Sequence, residues 1–122
     1  MVICQRNSTD CGICCLAMAL GVSYEYVLAA SSPFFREGEG CSLSMDALQA
    51  VAQQFASSVR PRLMDGWRFE YKSNAILEIC YERGGSRCFH YVFFCLEQGE
   101  VIDPQKIPVE DGGYQILSAL VL

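Results

Sequence analysis

Cys11 to Leu20 (Cys-Gly-Ile-Cys-Cys-Leu-Ala-Met-Ala-Leu) contains no charged side chain, and Gly21 ends the run. Asp10 in front of it is a good N-cap, and glycine suits the position just past a helix. Cys11, Cys14, Cys15 and Met18 fall on one stripe of this helix, while Leu16, Ala17, Ala19 and Leu20 cover the rest. A helix apolar almost all round has no face to give to water. It is expected to be central and buried, with the remaining elements arranged around it.

Those remaining elements divide into helices first and strands later. Ser23 caps a short helix from Tyr24 to about Ala30, Ser31-Ser32-Pro33 breaks the chain, and Phe34 to Gly40 reads as a loop. Ser44 caps a third helix, Met45 to about Ala56, with Met45, Leu48, Val51, Ala52 and Phe55 at helical spacing. Val59 to Leu63 is interrupted by Pro61 and is at best an edge strand. Ser73 or Asn74 opens a further predicted helix, Ala75 to Glu82, closed by Gly84-Gly85. Arg87 to Leu96 is rich in aromatic and β-branched residues and reads as a buried strand. Glu97 to Glu100 is a turn, and Val101-Ile102 begins a return strand that Pro104 stops. Tyr114 to Leu122 fits a strand or a helix. The expected class is α+β, with the N-terminal helix packed on an antiparallel sheet.

A chain of 122 residues is expected to form one domain spanning 1–122, with one core. Its net charge of −5 argues against a sequence-blind grip on nucleic acid, which needs phosphate-neutralising Lys and Arg. Arg60, Arg62, Arg68 and Lys72 form a local basic cluster, read as a solvated face, with an anionic-partner site as the other reading. Eight cysteines invite a disulfide framework. Against that, no basic segment followed by a long apolar one opens the chain, and Met1 reads as a native start. No run reaches the ~18 continuous apolar residues that span a bilayer. The expectation is therefore a cytoplasmic protein without a membrane partner, its thiols mostly free and acting as small apolar fillers.

The chemistry is carried by four residues in order. Gln5 lies six positions before Cys11, which opens the helix; His90, the chain's single histidine, follows on a strand; Asp103 comes next, before Pro104. A helix N-terminus favours a thiolate through its unpaired N–H groups, although Asp10 beside it opposes the charge. His90 is then the base able to take the proton. Asp103 would fix the imidazole's tautomer from its far nitrogen. The Gln5 amide and the Cys11 backbone N–H would together hold an oxyanion. Taken singly, each residue has an ordinary structural reading: packing for Cys11, a half-buried polar group for His90, a turn for Asp103-Pro104.

Asp10-Cys11-Gly12 followed by Cys15-Leu16-Ala17-Met18-Ala19-Leu20 closely resembles the cysteine box of the bacteriocin-processing cysteine peptidases. These are papain-like domains that trim double-glycine leader peptides at exporters. Cys41-Ser42-Leu43, His90-Tyr91-Val92-Phe93 and Val101-Ile102-Asp103-Pro104 resemble that family's later segments, so the resemblance covers most of the chain. It implies a papain-like cysteine peptidase fold with Cys11 as nucleophile, His90 as general base and acid, Asp103 as orienting acid and Gln5 as oxyanion donor, with no cofactor and no metal. The substrate would be a peptide or protein, and an amidase or deamidase variant would use the same groups. Two departures stand out: no membrane or ATPase region accompanies the domain, and Gly84 to Phe89 lacks the family's Pro-containing approach to the histidine. A free-standing version of this size implies a small bacterial or phage enzyme.

Three rival readings remain. Cys11-x-x-Cys14 with two ligands from Cys41, Cys80, Cys88, Cys95 or His90 would make structural zinc, although no second Cys-x-x-Cys exists. The same Cys11-Gly12-Ile13-Cys14 has thioredoxin-like spacing but lacks the preceding strand that chemistry needs. A catalytically silent papain-like interaction module is the third. Phe34, Phe35 and Trp67, in the loops Ser31–Gly40 and Asp65–Tyr71, are candidates for a substrate groove or for core.

Overall fold

The computed structural model describes residues 2–56, 69–105 and 113–122. The expected edge strand at Val59–Leu63, together with Arg60, Arg62, Trp67 and Arg68, lies outside the described residues. Within them the fold is α+β. Three helices, α1 (Cys11–Leu20), α2 (Tyr24–Ser31) and α3 (Met45–Phe55), precede four strands, β1 (Ala75–Arg83), β2 (Ser86–Cys95), β3 (Glu100–Ile102) and β4 (Gln115–Val121). A single 3-10 turn, Ser32–Phe34, with Pro33 near its start, closes α2. The strands form one antiparallel sheet in the order β3-β2-β1-β4.

The first helix sits where its composition requires. Ile13, Cys14, Cys15 and Leu16 are wholly buried, packed with Val27 of α2, Leu48 and Val51 of α3, and Ile76, Phe93 and Leu120 of the sheet. Gly21 ends the helix in the left-handed conformation, its N–H returned to the Ala17 carbonyl. Ser23 and Ser44 cap α2 and α3, their hydroxyls accepting from the N–H groups of Tyr26 and Ala47. Asp10 departs from expectation, because its carboxylate caps no first-turn N–H. Instead it accepts from the backbone N–H of Arg6 at 2.9 Å and from the Tyr24 hydroxyl at 2.8 Å. The residue is fully buried, and these donors satisfy a charge that water cannot reach.

The predicted helix Ala75–Glu82 is instead the strand β1. Its apolar run looks helical because it is buried on both faces: Ala75, Leu77 and Ile79 join a second cluster with Phe69, Val92, Phe94 and Ala119, while Ile76 faces α1. A central strand covered on two sides loses the alternation that marks a half-exposed one. Gly84 and Gly85, read as a helix stop, form a two-residue hairpin turn between Arg83 and Ser86. Both have positive φ, 60° and 79°, as a turn matching the strands' twist requires. Tyr114 to Leu122, open between strand and helix, supplies β4.

Candidate active site

Cys11 is the first residue of α1, so its N–H and those just after it have no intrahelical acceptor. The ladder begins at Cys14, whose N–H donates to the Asp10 carbonyl at 3.0 Å. Because the Asp10 carboxylate is turned back towards Arg6 and Tyr24, the first-turn donors keep their field for whatever stands at the sulfur. Gly12 brings this helix end close to the sheet. A Cβ there would come within 3.1 Å of the Leu48 side chain and 3.4 Å of the Tyr91 ring.

His90 reaches the same place from β2. The pairing of Phe93 with Ile102 is the last described between β2 and β3, and its register continued places Asp103 opposite Val92, two residues from His90 and on the same side of the strand. The two side chains meet, with His90 Nε2 2.7 Å from Asp103 Oδ1. That oxygen also accepts from the Gln105 backbone N–H at 2.9 Å, which holds the carboxylate in place from a second direction. With Nε2 committed to Asp103, Nδ1 is the ring nitrogen left to serve a thiol.

The His90 side chain is 5% exposed. Burial alone would lower its pKa; the hydrogen bond to Asp103 and the interaction with the Cys11 thiol outweigh that and raise it to about 9. A protonated ring at neutral pH is therefore the favoured state, with carboxylate on one side and sulfur on the other. For the neighbouring thiols burial is the leading cause, and it favours the neutral form. Burial pushes Cys14 up to about 12, and burial likewise pushes Cys15 well above the thiol range. Only the helix-opening cysteine of the three shares a cavity with the histidine.

That cavity, of about 220 Å³, is walled by Cys11, His90, Leu43, Glu78, Phe89 and Tyr91, with Ser8, Thr9 and Ser42 at its polar side. Tyr91 donates its hydroxyl to the Leu43 carbonyl at 2.8 Å, fixing one wall. Gln5 is not among the lining residues. Its backbone N–H donates to the Pro104 carbonyl at 2.8 Å, tying the N-terminal segment to the loop that carries Asp103. Its side-chain Nε2 donates to the Asn7 carbonyl at 3.1 Å, and its Oε1 is buried without a hydrogen-bond partner. The structure thus brings together Cys11, His90 and Asp103, and places Gln5 beside them, bonded locally.

Sequence reasoning missed Glu78, Phe89, Leu43 and Tyr91 as cavity walls. Glu78 carried a usable signal, being the single carboxylate inside the apolar run Ala75–Cys80. Among the described residues, no three His, Cys, Asp or Glu side chains converge as metal ligands, and no single helix is long and apolar enough to cross a membrane. The eight cysteines are all unpaired. Comparison with family models, with curated proteins and with solved structures returned no match.

Proposed function

We propose that the protein is a papain-like thiol hydrolase that cleaves a peptide or amide bond through Cys11, His90 and Asp103. The observation that carries this reading is His90, 2.7 Å from Asp103 and lining one cavity with a cysteine at an uncapped helix N-terminus. A buried carboxylate that keeps a histidine protonated beside a thiol makes an ion pair, and the thiolate of that pair is the nucleophile.

In this reading the Cys11 thiolate adds to the substrate carbonyl. The backbone N–H of Cys11 stabilises the oxyanion, and the Gln5 amide joins it on turning from the Asn7 carbonyl into the cavity. His90 gives its proton to the leaving amine, and an acyl group remains on sulfur. Water then enters, loses a proton to the imidazole, and releases the acid. Asp103 keeps Nε2–H oriented throughout. A peptidase, an amidase and a deamidase share these steps and differ only in which amine leaves; a peptide or protein is the substrate best suited to an open cavity between a helix end and a sheet.

The second reading, a papain-like shell that binds without cleaving, is favoured by one observation: the Gln5 amide is engaged with the Asn7 carbonyl instead of lining the cavity. Labelling with a peptidyl acyl-electrophile separates the two. Hydrolysis predicts a stoichiometric adduct on Cys11 that His90→Ala suppresses. Equal, slow labelling of Cys11 and the exposed Cys4 points to the silent module.

A further inference from the structure

The cavity wall bears a carboxylate that the hydrolytic steps do not use. Glu78 lies in β1 among Leu77, Ile79 and Ile76, all wholly buried, yet its own side chain lines the cavity. A local irregularity of the sheet sits at this point. Glu78 pairs with Ser118 while Ile79 pairs with Ile116, so Leu117 is an extra residue and β4 bulges at Glu78. Bulges re-aim side chains and recur beside active sites. Ser118, itself 4% exposed, donates its hydroxyl to Glu78 Oε1 at 3.1 Å and fixes the carboxylate's direction.

The other half of the feature is Phe89. It lies diagonally from Glu78 across the β1–β2 pairing, in which Glu78 faces Tyr91 and Cys80 faces Phe89. Phe89 lines the same cavity and is 64% exposed. The ring already receives one cation, since the Arg87 guanidinium carbon lies 5.6 Å from its centroid. Arg87 also donates to Cys80 Sγ at 3.4 Å and is not part of the cavity wall. A carboxylate held by a buried hydroxyl and an exposed aromatic face are the two groups that together recognise an organic cation. The catalytic groups add no opposing surplus, because thiolate, imidazolium and carboxylate sum to one negative charge.

We infer that Glu78 and Phe89 form a specificity site for a positively charged side chain, a lysine or arginine, next to the scissile amide. This rests on the reading of Cys11 as the nucleophile and names the substrate class for it: basic peptides or basic protein segments. Ser42 and Leu43 also line an adjoining depression of about 430 Å³.

The test uses short peptidyl chloromethyl ketones with norleucine, or lysine in its place, at either of the two residues nearest the warhead. Iodoacetamide serves as a charge-free reporter of the Cys11 thiolate. The expected result is a rate of Cys11 adduct formation on the order of tenfold higher for one lysine probe than for its norleucine twin. That ratio should fall as salt is raised from about 0.05 M to about 0.5 M, since screening weakens a partly exposed pair. Glu78→Gln should bring it close to one, and Phe89→Leu should reduce it in part. Equal rates for lysine and norleucine with fast iodoacetamide labelling overturn the cation site and leave the thiol hydrolase standing. An undiminished lysine preference in Glu78→Gln, or a preference indifferent to salt, also overturns it. Slow iodoacetamide labelling of Cys11 fails the underlying hydrolase reading, and the cation site falls with it.

Discussion

His90 Nε2 and Asp103 Oδ1 are 2.7 Å apart and both side chains are more than nine-tenths buried. Burying a carboxylate and a ring that can be neutral or charged is costly unless each has a partner, and here each is the other's. The arrangement depends on β3 stopping at Ile102. Pro104 cannot donate to a sheet ladder, so the chain leaves the strand at Asp103 and the carboxylate can turn towards the ring. The Gln105 N–H then holds the carboxylate there.

On the hydrolase reading, loss of Cys11 or His90 should remove turnover altogether. Cys11→Ala and His90→Ala are expected to lower kcat to the uncatalysed rate on a fluorogenic peptide amide. Asp103→Asn keeps an oxygen for Nε2 but loses the charge, and should cost on the order of 10²-fold. Wild-type turnover in Cys11→Ala would refute the hydrolase reading.

The raised pKa of His90 ties both stability and activity to pH. In the folded protein the ring titrates near 9, against 6.5 for an ordinary histidine. The folded state therefore binds this proton more tightly, and the resulting stabilisation is complete below about pH 6.5. It declines as pH rises and is gone above about 9. Urea midpoints of the wild type and His90→Gln, compared at pH 6, 7.5 and 9.5, should differ most at the lowest value and converge at the highest. Turnover should fall over the same alkaline limb as the proton donor to the leaving amine is lost. Parallel midpoint curves would remove the basis for an imidazolium at this site.

Cys14 and Cys15 should behave as core atoms rather than as thiols. Both are wholly buried, and burial pushes Cys14 up to about 12 and Cys15 in the same direction. Alkylation of the native protein near pH 7.5, mapped by mass spectrometry, is expected to spare both and to modify Cys4 and Cys11. Cys15→Ser places a hydroxyl in an apolar setting and should cost about 1–3 kcal/mol without changing KM.

Much of this architecture is legible in the chain itself, for identifiable reasons. Helix α1 announces itself through a run with no polar face, and Ser23 and Ser44 mark their helices by the hydroxyls that cap them. The order Cys11, His90, Asp103 survives folding as a cluster because β2 and β3 are consecutive strands of one hairpin. Strand β1 is hidden because central strands are apolar on both faces, so Ile76, Leu77, Ile79 and Cys80 mimic a helical stripe. The two-residue Gly84-Gly85 loop was the better guide. Glu78 and Phe89 could not be paired from sequence, since their meeting depends on that same unread hairpin. Asp10 shows how tertiary burial overrides a local preference: the carboxylate is drawn to Tyr24, fourteen residues on, rather than to its own helix.

Asp10 leads to the most demanding stability prediction. It accepts from Arg6 N–H and from the Tyr24 hydroxyl, and the Arg6 guanidinium lies 3.9 Å above the Tyr24 ring. Burial and then the Asp10 bond hold the Tyr24 phenol above its usual range, so it remains a donor at any physiological pH. Asp10→Ala leaves a buried hydroxyl and a part-buried backbone N–H without their acceptor, which should cost about 2–4 kcal/mol. Ser23→Ala, which removes only a helix cap, should cost about 1 kcal/mol. Because the same carboxylate fixes the turn leading into Cys11, Asp10→Ala should also slow Cys11 labelling, whereas Ser23→Ala should not. Asp10→Asn separates the two effects: it retains an oxygen for Tyr24 and removes the charge that opposes a thiolate. Its labelling rate should therefore equal or exceed the wild-type rate in urea-free buffer, and a rate as low as that of Asp10→Ala would show that the charge, not the geometry, serves the sulfur.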